Sequence, residues 1–131
     1  MFEASLRPRR AVYAHCDLPC GVYDPAQARI EAESVKAIQE KYQGNEDAAF
    51  RGRALAIKEE RADLVKHHLW VLWTDYFKPE HLEKHPQLHE LFWTATKEAG
   101  ASKKYEDPAQ GQKLLDAIDE IATIFWETKA A

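Results

Sequence analysis

Apolar side chains recur at alternating three- and four-residue spacing through most of this chain, the period of helices that bury one face, and capping residues cut the pattern into segments. Asp24-Pro25-Ala26-Gln27 offers an N-cap acid, a first-turn proline and a Gln three positions after the cap, which satisfy helix donors otherwise left without partners. The helix predicted there carries Ile30, Ala37 and Ile38 to about Tyr42, with Gly44 and Asn45 as a left-handed stop. A second helix starts near Asp47, places Phe50, Ala54, Ile57, Leu64 and Val71 on one buried stripe, and ends near Tyr76, before Pro79. The third segment is broken: a short turn near Glu80 to Lys84, then Pro86 opening a helix through Leu88, Leu91, Phe92 and Ala95 to a stop at Gly100. Asp107-Pro108-Ala109-Gln110 repeats the first start signal and introduces Leu114, Ile118, Ile121 and Phe125 on one face. With short connections and no alternating strand pattern, the predicted fold class is all-α. It is an up-and-down four-helix bundle over about residues 24–128, behind an irregular N-terminal hook.

Composition narrows the class without changing this picture. A chain of 131 residues with 45% hydrophobic content suits one domain with a single core. It has no apolar run near the roughly 18 to 20 residues of a membrane span, so no membrane role is expected. A formal charge of -4 opposes attraction to phosphate backbones, and no basic stripe interleaved with aromatics is apparent, so nucleic acid is not an expected partner.

Residues 1–14 differ in character from the rest of the chain: Arg7, Arg9 and Arg10 flank Pro8 and no periodicity is sustained. The segment reads as a leader removed on maturation, leaving a domain of residues 15–131. It has no apolar stretch for secretion, although Val12-Tyr13-Ala14 resembles a small-residue cleavage site, so a dedicated maturation protease and a cytoplasmic location are expected. Both cysteines, Cys16 and Cys20, lie just beyond it. A disulfide between them would close too small a loop to stabilise much, and in a reducing cytosol such thiols beside a histidine suit metal binding or redox work.

A cut after Ala14 would give His15 a free amine. That amine and the Cys16 amide nitrogen can close one five-membered chelate ring, the same amide and the Cys16 thiolate a second, and Cys20 can supply the fourth in-plane donor. An N,N,S,S set of this kind suits a square-planar ion, Ni(II) or Cu(II), better than tetrahedral Zn(II). Nickel suits it better still, because Cu(II) oxidises thiolates. The His15 ring stays available as an axial ligand that favours the trivalent state. A structural zinc site, an adventitious chelate and two buried thiols remain the alternatives on these residues alone.

The run His15-Cys16-Asp17-Leu18-Pro19-Cys20-Gly21-Val22-Tyr23 resembles the metal hook of the nickel superoxide dismutases. The similarity continues through Asp75-Tyr76-Phe77-Lys78-Pro79 and Ile124-Phe125-Trp126-Glu127-Thr128-Lys129, so it spans essentially everything after Ala14. The resemblance implies one nickel ion per subunit, ligated through His15, Cys16 and Cys20, and a homohexamer of four-helix bundles. It also implies disproportionation of superoxide to dioxygen and hydrogen peroxide by Ni(II)/Ni(III) cycling. By position, Pro19 would carry a cis bond, Tyr23 and Tyr76 would border the site and order water or substrate, and Glu31 with Arg61 would steer the His15 ring. Lys78 would sit near the entrance. A nickel carrier or storage protein without redox turnover is the rival reading of the same hook.

Independently of the resemblance, Arg61 falls in the predicted stripe of the second helix between Ile57 and Leu64, where a buried cation needs a carboxylate, and Glu31 suits. Snorkelling to the bundle end is its alternative. Removing the leader deletes three Arg and one Glu, leaving a formal -6, so attraction of an anion has to be local, and Lys78 is the candidate for it. His81, His85 and His89 recur every fourth residue, but Pro86 interrupts that face and they read as surface or capping residues. His68 is expected to be a hydrogen-bonded core residue. Trp70, Trp73, Trp93 and Trp126 are expected in the core or at subunit interfaces.

Overall fold

The computed structural model describes residues 22–131. His15, Cys16, Pro19 and Cys20, with the leader before them, lie outside the described residues. The elements are α1 (Ala26–Gln43), α2 (Ala48–Val71) continued by a π-helical turn (Leu72–Tyr76), α3 (Pro79–Lys84), α4 (Leu88–Ser102) and α5 (Pro108–Ala130). No strand occurs among the described residues. Four long helices close a ring in which α1 packs on α2 and α5, and α4 packs on α2 and α5. This is the predicted up-and-down bundle, with α3 in the connection between α2 and α4.

The start signals work as the sequence suggests. Asp24 Oδ1 accepts from Ala26 N at 2.8 Å, Asp47 Oδ2 from Phe50 N at 2.9 Å, and Asp107 Oδ1 from Ala109 N at 2.9 Å. The stops differ. Gly44 has φ -88° and ψ 0°, not the left-handed conformation expected. The end of α1 is closed by the Gly44 and Asn45 N–H groups donating to the Glu40 and Tyr42 carbonyls, and Arg51 Nε holds the loop beyond by donating to the Asn45 carbonyl at 2.7 Å. Gly100 does not end α4, which runs two residues further before Lys103 and Lys104 donate back to Gly100 and Ala101.

Leu114, Ile118, Ile121 and Phe125 are buried, as predicted for α5. On α1 and α2 the buried face is turned from the expected one. α1 buries Ala28, Ala32, Val35 and Gln39, while Ile30 is exposed. α2 buries Ala54, Lys58, Ala62, Val65, Leu69 and Val71, with Phe50, Ile57 and Leu64 only half-buried. Small residues along the seam let these two helices approach closely, and bulk is left at its rim.

The end of the bundle away from residue 22 is tied by polar groups. Lys58, 1% exposed, donates to the Tyr105 carbonyl at 2.7 Å and to Glu106 Oε1 at 3.1 Å. Gln39 donates to the Tyr105 carbonyl and to Gln110 Oε1, and Ser102 donates to the same Gln110 oxygen at 2.9 Å. Gly111 lets α5 close on α1 here: a Cβ would stand 2.3 Å from Gln39 Oε1 and 3.0 Å from Lys36 Cα. Buried polar groups stabilise only when paired, and this cluster pins the loop between α4 and α5 to the first two helices.

Candidate metal centre

The opposite end gathers the aromatic residues. Tyr23, the last residue of the hook segment, is buried in the core cluster just before α1 begins, and its ring lies 5.8 Å from that of Tyr76. Tyr76 closes the π-helical turn, which accommodates one residue more than an α-helical turn. Phe77 leaves helical geometry at φ -69°, ψ 140°, which lets Tyr76 and Phe77 stand at 84° to one another, 5.0 Å apart. Phe125 of α5 supports both rings, at 4.4 Å and 6.4 Å.

Three further groups fix Tyr76. Its hydroxyl lies 2.7 Å from Thr128 Oγ1. The His81 ring stacks on it at 5.7 Å with 14° between planes. The Lys129 ammonium lies 5.2 Å from the ring centre, a cation over a π face. His81 is itself oriented, because Nδ1 accepts from the Lys78 backbone N–H at 3.0 Å; in the neutral ring the proton is therefore on Nε2. His81 is thus a capping residue, as the interrupted histidine series suggests. His85 approaches Glu127 at 3.7 Å and His89 meets the edge of Trp73.

Glu31 and Arg61 meet as the sequence predicts, with Arg61 donating to Glu31 Oε2 at 3.2 Å. The carboxylate is 17% exposed and the guanidinium 36%. Arg61 therefore lies at the rim of the seam and not within it, since the buried face of α2 passes through Lys58 and Ala62. Glu31 stands five residues into α1, about 7.5 Å along the axis from its first residue. Lys78 is exposed and makes no ion pair among the described residues. The cation lying over Tyr76 is Lys129, which no pattern in the sequence singles out. His68 is half-buried, and Trp70, Trp93 and Trp126 are exposed, so the core role is ruled out for those three in the single chain.

Among the described residues no three His, Cys, Asp or Glu side chains gather closely enough to hold a metal ion. The candidate ligands are His15, Cys16 and Cys20; with a free His15 amine, their amine, amide and two thiolates would form a donor set that fits nickel. Residues 10–129 match the nickel-containing superoxide dismutase family. The chain belongs to that family. It is 61% identical to the nickel superoxide dismutase of Streptomyces coelicolor and 62% identical to that of Streptomyces seoulensis, each over 131 residues covering the whole of both chains. A crystal structure of a nickel superoxide dismutase with ligation corresponding to the oxidised state matches with a TM-score of 0.87 and 66% identity. It covers 89% of this chain and 100% of its own.

Solved variants of the family carry alanine in place of an aspartate at the third position, phenylalanine in place of a tyrosine at the ninth, and alanine in place of a histidine at the first. The same spacing of His, Asp and Tyr occurs in this chain at His15, Asp17 and Tyr23.

Thr128 and Lys129 are site-end residues that the sequence does not reveal as such, although they lie in a segment shared with the family. A threonine in a last helical turn carries no periodic signal, and only the fold shows that its hydroxyl reaches Tyr76.

Proposed function

We propose that the chain, cut after Ala14, disproportionates two superoxide ions and two protons to dioxygen and hydrogen peroxide. The observation that carries this is the seating of Tyr23 against Tyr76. It fixes the exit of the hook at the aromatic end of the bundle, with Glu31 and Arg61 nearby on the first two helices. His15, Cys16 and Cys20 would hold one nickel ion per chain, which would supply one-electron redox chemistry. Tyr23 and Tyr76 border the site and order water or substrate. The Glu31–Arg61 pair steers the His15 ring, since a fixed charge partner sets the orientation and basicity of a ligand histidine.

A start at His15 is supported by the register of the solved relatives, whose full length is spanned by 89% of this chain and whose first, third and ninth residues repeat the spacing of His15, Asp17 and Tyr23. The formal -6 of the cut chain opposes superoxide at long range, and Lys78 with Lys129 supplies local positive charge at the site end. Assembly into a homohexamer is supported by the exposed faces of Trp70, Trp93 and Trp126. A cytoplasmic setting agrees with thiols that have to stay reduced, and no helix among the described residues is long and apolar enough to cross a membrane.

The test is superoxide decay followed by pulse radiolysis with nickel-loaded protein beginning at His15, beside protein beginning at Met1 and nickel alone. Fast decay is expected only in the first. No acceleration over nickel alone would sink the activity, and full activity of the uncut chain would sink the role of the His15 amine.

A further inference from the structure

The hydrogen bonds at the site end form a chain whose direction is set by counting protons. The Phe125 carbonyl has none to give, so Thr128 Oγ1, 2.6 Å away, donates to it. A hydroxyl carries one proton. Thr128 therefore accepts from Tyr76, and the Tyr76 proton is committed along the 2.7 Å contact to Thr128 Oγ1. The acceptor at the end of the chain sets the polarity of every link before it.

The ring that carries this hydroxyl is fixed, so the oxygen stays within reach of Thr128. The Tyr76 ring is held by Phe125 at 4.4 Å, by the stacked His81 and by the Lys129 ammonium. His81 is locked in turn by the Lys78 N–H. The back-bond from Thr128 to the carbonyl three residues earlier is a local feature of the last turn of α5, independent of anything bound.

We infer that Thr128 is a positioning residue of the reaction: by accepting the Tyr76 O–H hydrogen bond it leaves the Tyr76 oxygen to act as a hydrogen-bond acceptor toward the site. Tyr76 then orders a donating water, or accepts from the hydroperoxide product, and does not itself donate to the superoxide anion. This rests on the proposed function, in which Tyr76 borders the site. It adds which partner Tyr76 selects and what sets that choice.

The experiment uses nickel-loaded protein beginning at His15, with the variants Thr128→Val, Thr128→Ser, Tyr76→Phe and the Thr128→Val/Tyr76→Phe pair. Inhibition of superoxide decay by azide serves as the anion probe, with nickel content and Tm measured alongside. Freed from Thr128, the Tyr76 O–H turns to the anion, so Thr128→Val should tighten azide inhibition about tenfold or more, the factor a hydrogen bond to a charged group contributes. Thr128→Ser should retain the parent value, and the pair should match Tyr76→Phe alone, because Thr128 acts only through that hydroxyl. If Thr128→Val fails to fold, Thr128→Ala takes its place. Parent-like azide inhibition in Thr128→Val with an altered Tyr76→Phe overturns the inference, as does a Thr128→Ser that behaves like Thr128→Val. A Tyr76→Phe that matches the parent in the rate of superoxide decay as well as in azide inhibition overturns the placement of Tyr76 at the site, and the inference with it.

Discussion

Arg61 and Glu31 form a pair whose exposure limits what it adds to stability. A guanidinium more than a third exposed is screened by solvent, so Arg61→Gln should cost at most about 1 kcal/mol in denaturant unfolding. If the pair orients the His15 ring, activity of the nickel-loaded protein should fall about tenfold in the same variant; parent activity would separate the pair from the ring. The sequence named Glu31 as the partner on the premise that Arg61 lies within the buried stripe; the stripe runs through Lys58 and Ala62 instead, and the two side chains meet at its rim. The candidate ligands were legible for a different reason: His15, Cys16 and Cys20 are close neighbours in the chain, so their chemistry is local. Thr128 and Lys129 were not, because they reach Tyr76 across 52 and 53 positions of sequence, and a lone hydroxyl or ammonium in a last turn does not announce a distant partner.

At the scale of the helices, the two halves of the bundle were unequally readable. α5 matches its pattern because its large aliphatic residues all face inward. α1 and α2 do not, because Ala28, Ala32 and Ala62 make the contact and Ile30 is left outside; a pattern weighted by bulk selects the wrong face. Lys58 and Gln39 were missed for the same reason, since polar residues are assigned to the surface unless partners are known. Two glycines test the packing in opposite directions. Gly111→Ala drives a methyl into Gln39 and the α1 backbone and should lower stability by about 1–3 kcal/mol. Gly52, in α2, has nothing within 4 Å of an added Cβ, so Gly52→Ala should raise stability by about 0.5–1 kcal/mol. Thermal unfolding of both variants checks the pair, and a stable Gly111→Ala would mean that α1 and α5 are not in close contact there.

For the molecule as a whole, Trp93 at 59% and Trp70 at 50% exposure flank a groove with Trp73, His89, Phe92 and Thr96. If the proposed homohexamer buries this surface, Trp70→Ser/Trp93→Ser should release smaller species in sedimentation velocity; an unchanged mass would put the subunit contacts elsewhere. The two ends of the bundle divide the work, with Lys58, Gln39, Ser102 and Gln110 fixing the helices at one end and Tyr23, Tyr76 and Thr128 standing at the other. Between them runs α2, and the five residues Leu72–Tyr76 that prolong it are wound more loosely than the rest. In an α-helix each residue advances the azimuth by about 100°, so a loosened turn accommodates one residue without carrying that rotation into the chain beyond it. Deleting Thr74 or Asp75 would therefore keep Trp73 and Tyr76 in the sequence while changing the register of one ring against the other within the turn. The length of that stretch is constrained as tightly as its composition.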